Sequence, residues 1–391
     1  MSAELKILLL AGEESGLVYA DRLRAALTAR AACPIVFRGY QSEGFKTGDL
    51  AVMGFGAVVR KIFYFLRVQR TMKAVIRTWR PDAVVTVDYP GLNLKLAACA
   101  KRLGIPAIHI VCPQVWAWHQ NRIPKIAAAL TKLLCFFPFE PALFAGTGLT
   151  ARFIGHPMLD VFAEEDAARP AADGTAAASA RPVLAVLPGS RLGEIQRILP
   201  RLLRALPQIA ASAAPFDVVI PAANEKAAYE IRRQMAAAAP CPVVVRIQQG
   251  NARGVLRGAV CAVVASGTAT LEAALARCPT VLVYAVSPAL AWFARRVIKS
   301  IRHIGIANVV WEKCRMPTTA DDAPMPELLQ EAFTPEAVAA KLSAWLSDPA
   351  ARARAAARLD ETRTLLRSDG HALDRAAEEI LETIRETGHA H

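Results

Sequence analysis

Two short segments, LPGSR at residues 187–191 and SGTATLE at residues 266–272, most constrain what this chain can fold into. Each follows an apolar run that is typical of a buried strand, residues 183–187 and 259–265, and each leads into a helical pattern. A strand, a turn of small residues and a helix together direct backbone N–H groups and the positive end of the helix dipole at an anion. Two such units in one half of the chain predict a binding site for a diphosphate, and they favour the diphosphate of a nucleotide as the ligand.

Strand-like and helical runs alternate along most of the chain, and its 391 residues are too many for one ordinary core. The strand-like runs lie at residues 7–11, 35–38, 83–87, 107–111 and 133–136 and begin again at Val183, Val218, Val243, Val260 and Val281. We therefore predict an α/β fold of two Rossmann-like domains whose parallel sheets face each other across a cleft.

The predicted divisions follow composition. They are residues 1–165 for the first domain, 166–180 for a linker poor in large apolar residues, 181–360 for the second domain and 361–391 for C-terminal helices. We expect the C-terminal helices to pack back on the first domain or on a partner subunit, so a homodimer is one expected arrangement.

Composition excludes several classes of protein. With 54% hydrophobic and 21% charged residues, the chain is expected to fold rather than to be disordered. The first apolar run, residues 7–11, is far too short for a signal peptide or a membrane span, and no other uninterrupted apolar run reaches spanning length. We therefore expect a cytoplasmic protein. The eight cysteines include no C-x-x-C pair, so we expect reduced, buried thiols and neither a metal nor a cofactor.

The net charge of +13 favours binding to nucleic acid or to an anionic membrane surface. No segment resembles an RNA- or DNA-reading motif, so no nucleic-acid partner is predicted. Residues 55–70, FGAVVRKIFYFLRVQR, combine a very apolar stretch with Arg60, Lys61, Arg67 and Arg70. This combination is typical of a helix that lies on a membrane surface, although a core helix with one solvated edge has a similar composition. We predict peripheral membrane contact through this segment.

Five further motifs accompany LPGSR and SGTATLE. In chain order they are AGEESG (11–16), LAVMGF (50–55), PQVWAW (113–118) followed by Arg122 and Lys125-Ile126, FPFE (137–140) and FIGHP (153–157). Together the seven ordered motifs resemble those of the lipid-A-disaccharide synthase family. The resemblance extends from about residue 7 to residue 330, and the order of the motifs makes it far more specific than any one of them alone.

The resemblance implies a GT-B glycosyltransferase. Such an enzyme moves a diacylated glucosamine from UDP onto a diacylated glucosamine 1-phosphate, with inversion and without a metal, to form lipid A disaccharide. The resemblance also implies that residues 1–165 take the acylated sugar-phosphate acceptor and the membrane surface, and that residues 181–360 bind the UDP-linked acylated amino sugar. The expected location is the inner face of the cytoplasmic membrane.

Three features depart from the family pattern. Leu17 stands where the family has an Asp, and Gly91 stands where the family has the second Asp of its D-x-P-D-F-N motif, the proposed general base. The segment at residues 39–49 is shorter than the glycine-rich stretch of the family. The two lost carboxylates leave three outcomes open: a shifted acceptor, a different base or lost activity.

Inverting transfer needs a base for the acceptor hydroxyl and stabilisation of the leaving diphosphate. Asp88, at the end of a strand, is the candidate replacement base, with a structural cap as the alternative, and Glu13 after the first strand is the second candidate. Gly189, Ser190 and Arg191 are predicted to bind the diphosphate, because a guanidinium fork matches phosphate oxygens.

The other predicted substrate contacts are less specific. Glu272 is expected to accept the ribose hydroxyls, with an ordinary Glu favoured by the helix dipole as the alternative. The remaining predicted substrate-binding residues are Ser15, Gly16, Asn93, Trp116, His156, Ser266, Gly267, Thr268 and Asn308. Helix capping by Asn93, core packing by Trp116 and a structural hydrogen bond of His156 are the alternatives for three of them.

Two other functions fit the same pattern. A UDP-sugar 2-epimerase binds UDP on the same architecture but needs no lipid, so dependence on an acylated substrate separates it from a synthase. A catalytically degenerate paralogue would bind UDP or lipid without turnover, and the substitutions at Gly91 and Leu17 favour it.

Overall fold

A computed structural model describes residues 4–12, 14–45, 58–168, 181–287, 292, 301–315 and 323–388 of the protein. The chain forms two compact units, residues 1–160 with 366–391 and residues 161–365. The first unit therefore ends before the division expected at residue 165, and the chain returns to it at residue 366 rather than 361. The expected linker, residues 166–180, lies outside the described residues from 169 onward.

The first unit is built on a parallel sheet of six strands in the order β2-β1-β3-β4-β5-β6. Its elements are β1 (Leu5–Ala11), α1 (Glu14–Arg30), β2 (Ile35–Arg38), α2 (Val58–Trp79), β3 (Ala83–Val87), α3 (Pro90–Arg102), β4 (Ala107–Ile110), α4 (Ile123–Ala129), β5 (Lys132–Cys135), β6 (Thr150–Phe153) and α5 (Pro157–Ala167), the last of which ends in the second unit. Strands β3 and β4 are buried along their whole length. Such continuous apolar runs are expected of inner strands that helices cover on both faces.

The C-terminal helix of the chain, Ala372–Glu386, packs on the first unit. Its apolar face joins the core formed by β1, β3, β4 and α1 through Leu373, Ala376 and Ile380. The buried Lys132 at the start of β5 pairs with Glu379 of this helix at 2.7 Å. The terminal helix is therefore a covering layer of the first sheet.

The second unit repeats the architecture with the strand order β12-β11-β10-β7-β8-β9. Its elements are β7 (Val183–Leu187), α6 (Leu192–Ser212), β8 (Asp217–Ala222), α7 (Glu225–Ala237), β9 (Val244–Gln249), α8 (Ala252–Gly258), β10 (Cys261–Ala265), α9 (Thr268–Leu275), β11 (Thr280–Tyr284), α10 (Ile306–Cys314), β12 (Glu327–Leu329), α11 (Pro335–Ser347) and α12 (Pro349–Leu365), and the C-terminal helix is α13. All five strand pairs are parallel.

Two parallel sheets with flanking helices confirm the predicted α/β class with two Rossmann-like domains. Each sheet has a topological switch point, at β1 and β3 in the first unit and at β7 and β10 in the second, where successive connections leave in opposite directions. Ligands of open α/β sheets bind at the carboxyl ends of the strands that flank such a point. In the described part of the chain, no helix is long and apolar enough to cross a membrane.

Candidate functional site

The second unit has a pocket at its switch point. The cavity has a volume of about 370 Å³ and is lined by the turns after β7, β9 and β10. The lining residues include Gly189, Ser190, Arg191, Glu194, Gly250, Asn251, Ser266, Gly267, Thr268 and Glu272. The structure thus brings together all seven residues that the sequence predicts around the nucleotide.

The turn after β7 leads directly into the N-terminus of α6. Gly189 has φ +112°, a conformation that side chains rarely adopt, and Arg191 is the N-cap of the helix. The Arg191 side chain is 79% exposed, and its Nη1 donates to Glu194 Oε1 at 2.9 Å. Because the guanidinium is exposed at a helix N-terminus, it can turn to a phosphate group at the same place.

The turn after β10 has the same construction. Gly267, with φ +151°, is the N-cap of α9, and Thr268 is the first helical residue. Gly267 and Thr268 are exposed, and Ser266 is half-buried with its backbone N–H bonded to Val283 O at 3.2 Å. The exposed N-terminus of α9 therefore offers a second set of N–H donors to the pocket.

Glu272 lies one turn into α9 on the wall of the pocket. Its side chain is 16% exposed, and its Oε1 accepts a hydrogen bond from Arg253 Nη1 at 3.3 Å. Burial raises the pKa of Glu272, and the charge of Arg253 opposes that shift. A carboxylate held in this way can accept hydrogen bonds from hydroxyl groups of a ligand.

The first unit places Asp88 at its own switch point. Ala11 of β1 pairs with Val87 of β3, so the residues that follow both strands lie side by side. Asp88 and Tyr89 both have left-handed backbones, with φ +50° and +52°. Two such residues in succession are strained, and this kind of strain concentrates at functional sites.

Asn93 fixes this strained turn. Its Nδ2 donates to Asp88 O at 2.7 Å and to Val87 O at 3.2 Å, and its Oδ1 accepts from the Tyr40 hydroxyl at 2.6 Å. The side chain of Asn93 is fully buried. Its hydrogen bonds give it a positioning role at Asp88 rather than a place among exposed ligand contacts.

The environment of Asp88 suits a base. The residue is half-buried, and desolvation raises the pKa of its carboxyl group, with a backbone hydrogen bond from Tyr89 acting in the opposite direction. A raised pKa brings a carboxylate closer to the range in which it takes up a proton efficiently. Gly91 follows on the first turn of α3, exposed, with no atom within 4 Å of the position that a Cβ would take.

Two other predicted substrate contacts, Trp116 and His156, lie in the interior of the first unit. Trp116 Nε1 donates to Glu140 Oε1 at 3.2 Å, and the indole packs edge-on against Phe139. His156 Nδ1 accepts from Met158 N at 3.2 Å, and burial lowers the pKa of the imidazole to about 4. Both side chains therefore make their hydrogen bonds within the first unit.

Asn308 is also used internally. Its side chain bonds to Met325 N at 2.9 Å and to Met325 O and Glu327 Oε1 at 2.8 Å, and it is fully buried. The structure therefore does not bring Asn308 to the pocket lining at the switch point. It ties α10 to the strand β12 and the segment before it.

The N-terminal candidates are only partly described. Glu13 and the side chain of Ser15 lie outside the described residues. Gly16 is buried on α1, where an added Cβ would lie 3.6 Å from Ala11 Cβ and 3.7 Å from Val87 O. These are ordinary van der Waals distances, so a Cβ would fit between α1 and the strands β1 and β3, and packing alone does not require glycine at this position.

A buried network surrounds Glu140. The carboxylate accepts from Trp116 Nε1 and from Phe137 N at 3.1 Å, and one of its oxygens lies within 4.8 Å of the sulfurs of Cys112 and Cys135. Burial raises the pKa of Glu140 to about 8. The hydrogen bond with Cys135 raises the pKa of the Cys112 thiol, and burial raises it further. The same hydrogen bond lowers the pKa of Cys135, but burial and the charge of Glu140 leave that pKa raised. These groups anchor the loops after β4 and β5.

The sequence reasoning missed Asn251, which lines the pocket, and Arg253, which lies behind the pocket wall. Asn251, with φ +52°, caps α8 by accepting from Gly254 N at 3.1 Å, and Arg253 contacts Glu272. The signal was present, because Gly250-Asn251 follows the strand-like run at Val243 and precedes a helix. It forms a third strand, turn and helix unit beside LPGSR and SGTATLE.

Two Rossmann-like units, the second of which has a pocket at its switch point, are typical of the GT-B fold. The fold is similar to that of UDP-GlcNAc 2-epimerase from Neisseria meningitidis bound to UDP-GlcNAc (TM-score 0.57, 10% identity, 98% of this chain and 100% of that chain). It is also similar to Acinetobacter baumannii MurG (TM-score 0.54, 12% identity, 98% and 99% of the two chains). Identities this low establish the fold alone.

The chain belongs to the lipid-A-disaccharide synthetase family, whose model matches residues 7–382. Among its relatives, the lipid-A-disaccharide synthase of Anaeromyxobacter dehalogenans strain 2CP-1 is 36% identical over 393 residues, covering 97% of this chain and 98% of that protein. The lipid-A-disaccharide synthase of Neisseria meningitidis serogroup C is 34% identical over 385 residues, covering 95% and 96%. The resemblance found in the seven motifs is confirmed.

Proposed function

We propose that this chain is an inverting glycosyltransferase that moves a diacylated glucosamine from UDP to a diacylated glucosamine 1-phosphate and so forms lipid A disaccharide. The observation that carries the proposal is the pocket of two glycine turns at a switch point, in a chain whose family match spans residues 7–382. Each turn presents a helix N-terminus to the cavity, which suits a diphosphate.

The residues divide the chemistry between them. Arg191 and the N–H groups of the two turns neutralise the charge that develops on the diphosphate as the bond to the anomeric carbon breaks. Glu272 accepts hydrogen bonds from the ribose and holds the nucleotide in register. Asp88 takes the proton of the acceptor hydroxyl while its oxygen attacks the anomeric carbon from the side opposite UDP, which inverts the configuration.

The acceptor proposal has support in an apolar groove of the first unit. The groove has a volume of about 430 Å³. Its lining consists of Phe65, Leu66 and Gln69 of α2, Tyr89 of the turn that precedes α3, and Gly91, Leu92 and Lys95 of α3. It thus begins beside Asp88. We place an acyl chain of the acceptor in this groove, because its walls are mostly hydrocarbon.

Turnover tests the proposed function. The purified protein is incubated with a UDP-linked diacylated glucosamine and a diacylated glucosamine 1-phosphate, and the expected products are the acylated disaccharide and an equal amount of UDP. Conversion of UDP-N-acetylglucosamine without lipid would instead indicate the epimerase reaction. UDP binding with no turnover on either substrate would indicate a degenerate paralogue.

Arg191→Ala is expected to weaken UDP binding by roughly 1.5–3 kcal/mol, or about 10- to 150-fold, the contribution of a hydrogen bond to a charged group. Calorimetry with UDP measures the change. Arg204→Ala is the matched control, because Arg204 is exposed on the same helix but does not line the pocket. Unchanged UDP affinity in the Arg191 variant would contradict the placement of the diphosphate.

Helix α2 supports membrane contact through one face. Phe63 is 69% exposed and Leu66 is 39% exposed, and Arg67 and Arg70 are exposed as well. These four positions are spaced i, i+3, i+4 and i+7, so they lie on one face of the helix. Phe65 instead packs inward, with its ring 6.4 Å from that of Tyr89. We propose that this face rests on the inner surface of the cytoplasmic membrane.

Phe63→Ser with Leu66→Ser is expected to weaken binding to phosphatidylglycerol-containing vesicles by roughly tenfold or more. Full burial of an apolar side chain contributes about 1.5–3 kcal/mol, and each of these two side chains has only part of its surface left to bury. Co-sedimentation measures the bound fraction. Tyr229→Ser is the control, because Tyr229 is an equally exposed aromatic residue, at 66%, on α7 of the second unit. A wild type that does not sediment with these vesicles, or a double variant that sediments equally well, would refute the contact.

A further inference from the structure

A chain of ion pairs runs from α5 to the nucleotide pocket. Glu165, near the end of α5, accepts hydrogen bonds from Arg253 Nη2 at 2.7 Å and from Arg253 Nε at 2.9 Å. The same guanidinium reaches Glu272 Oε1 through Nη1 at 3.3 Å. Arg253 therefore links a carboxylate outside the pocket to the carboxylate on its wall.

Glu165 is itself held in place. Its second oxygen accepts from Arg257, one helical turn after Arg253 on α8. Arg257 also pairs with Asp166 at 3.0 Å, and its guanidinium lies 4.2 Å from the centre of the Phe162 ring. Two arginines at i and i+4 thus clamp the end of α5. Because Glu165 is fixed, Arg253 is held in one orientation toward Glu272.

The geometry at Glu272 leaves room for a ligand. An ionised carboxylate has about four acceptor positions, and the bond from Arg253 uses one of them. Glu272 lines the cavity together with the two glycine turns that are proposed to hold the diphosphate. A nucleotide whose diphosphate lies at those turns has its ribose next along the molecule, within reach of the pocket wall.

We propose that Arg253 is a positioning residue that orients Glu272 toward the vicinal hydroxyls of the ribose, so that the pocket selects ribonucleotides over deoxyribonucleotides. Glu165 supports this role by fixing the guanidinium. The inference rests on the proposed binding of UDP in the second unit. It adds a specificity determinant that reaches the ligand only through another residue.

Affinity for UDP and for 2′-deoxy-UDP tests the proposal by calorimetry. The wild type is expected to prefer UDP by roughly 10- to 150-fold, the range of a hydrogen bond to a charged group. Arg253→Met keeps the length of the side chain but removes the charge and the donors, and the preference should fall toward onefold. Glu165→Gln should reduce the preference by a smaller factor, because Arg253 is then less firmly held.

The pH dependence gives a readout that a purely structural role would not move. The charge of Arg253 lowers the pKa of Glu272, so its removal raises that pKa. Binding that needs the ionised carboxylate is lost as the pH falls, and in Arg253→Met this loss should begin at a higher pH than in the wild type. Asp217→Asn is the control, because Asp217 pairs with Arg246, neither residue lines the pocket or contacts Arg253, and the substitution should leave both readouts unchanged.

The possible outcomes distinguish a failure of the proposed function from a failure of the positioning role of Arg253. A wild type that fails to bind UDP overturns the proposed function. A wild type that binds UDP but shows no preference over 2′-deoxy-UDP, or an Arg253→Met protein of normal thermal stability that keeps both the preference and the pH profile, overturns the positioning role. If Arg253→Met does not fold, Glu165→Gln decides the question, since it leaves Arg253 in the chain.

Discussion

Asp88→Asn is expected to lower turnover by roughly 10²- to 10⁴-fold, the usual contribution of general-base catalysis, with UDP affinity nearly unchanged. The substitution removes the proton acceptor and keeps the size of the side chain. It also suits the backbone, because Asn adopts a left-handed conformation such as φ +50° at least as readily as Asp. Steady-state kcat with both acylated substrates, beside calorimetry with UDP, measures the two effects.

The pH–rate profile of the wild type is a second check on Asp88. A base must be ionised to act, so activity falls as the pH drops through its pKa. Burial raises the pKa of Asp88 above the ordinary value of an aspartate. The acidic limb of kcat/KM should therefore lie at a higher pH than a solvent-exposed Asp would give, and it should disappear in Asp88→Asn.

Gly91→Asp distinguishes an active enzyme with a displaced base from a degenerate one. The new side chain would meet no atom within 4 Å at its Cβ, so it can be accommodated on the first turn of α3. An inactive wild type that gains turnover in Gly91→Asp would identify a degenerate synthase. An active wild type that tolerates Asp88→Asn would contradict the assignment of Asp88, and Glu13 would be the next candidate.

The parts of the fold that the sequence predicts best are those that depend on local pattern. The runs at residues 83–87 and 183–187 are buried strands with the bounds expected from their apolar residues. The strand β12, Glu327–Leu329, was missed because three residues are too few to show a period. The C-terminal helix packs back on the first unit, which is one of the two arrangements expected, but the residue at which the chain returns, 366, depends on tertiary packing that no local pattern encodes.

The candidate site shows that residue type alone is insufficient to predict which polar side chains line a pocket. Gly189, Arg191 and Glu272 line the pocket, because a turn at the end of a buried parallel strand must open at the edge of the sheet. Asn93 and Asn308 have the same chemistry as ligand-binding residues, but both are fully buried and hydrogen-bonded to the chain. Whether a polar side chain points into a pocket or into the core depends on neighbours that are distant in sequence.

The same limit applies to α2. Its apolar run suggests several membrane-facing aromatic residues, but a helix distributes successive residues around its axis. Phe63 is exposed, whereas Phe65 packs against the core beside Tyr89. Leu66, one turn after Phe63, is therefore the second apolar residue of the exposed face.

Gly189→Ala is expected to weaken UDP binding by roughly 10²-fold or more. Gly189 has φ +112°, which costs an alanine about 1–3 kcal/mol in strain. An added Cβ would also lie 2.7 Å from Glu194 Cβ and 2.6 Å from Glu194 Oε2. The turn must shift to relieve the backbone strain and the close contacts with Glu194. Its N–H groups then lose their alignment with the diphosphate. Each hydrogen bond from such an N–H group to the charged diphosphate contributes about 1.5–3 kcal/mol.

Gly193→Ala is the matched control for this turn. Gly193 lies four residues later on α6, its Cβ position meets no atom within 4 Å, and the same methyl group should stabilise the helix by about 1 kcal/mol. Calorimetry with UDP should therefore show a large loss of affinity for Gly189→Ala and little change for Gly193→Ala. Equal UDP affinity in both variants would mean that the turn after β7 does not hold the diphosphate, because only Gly189 is in a conformation that requires glycine.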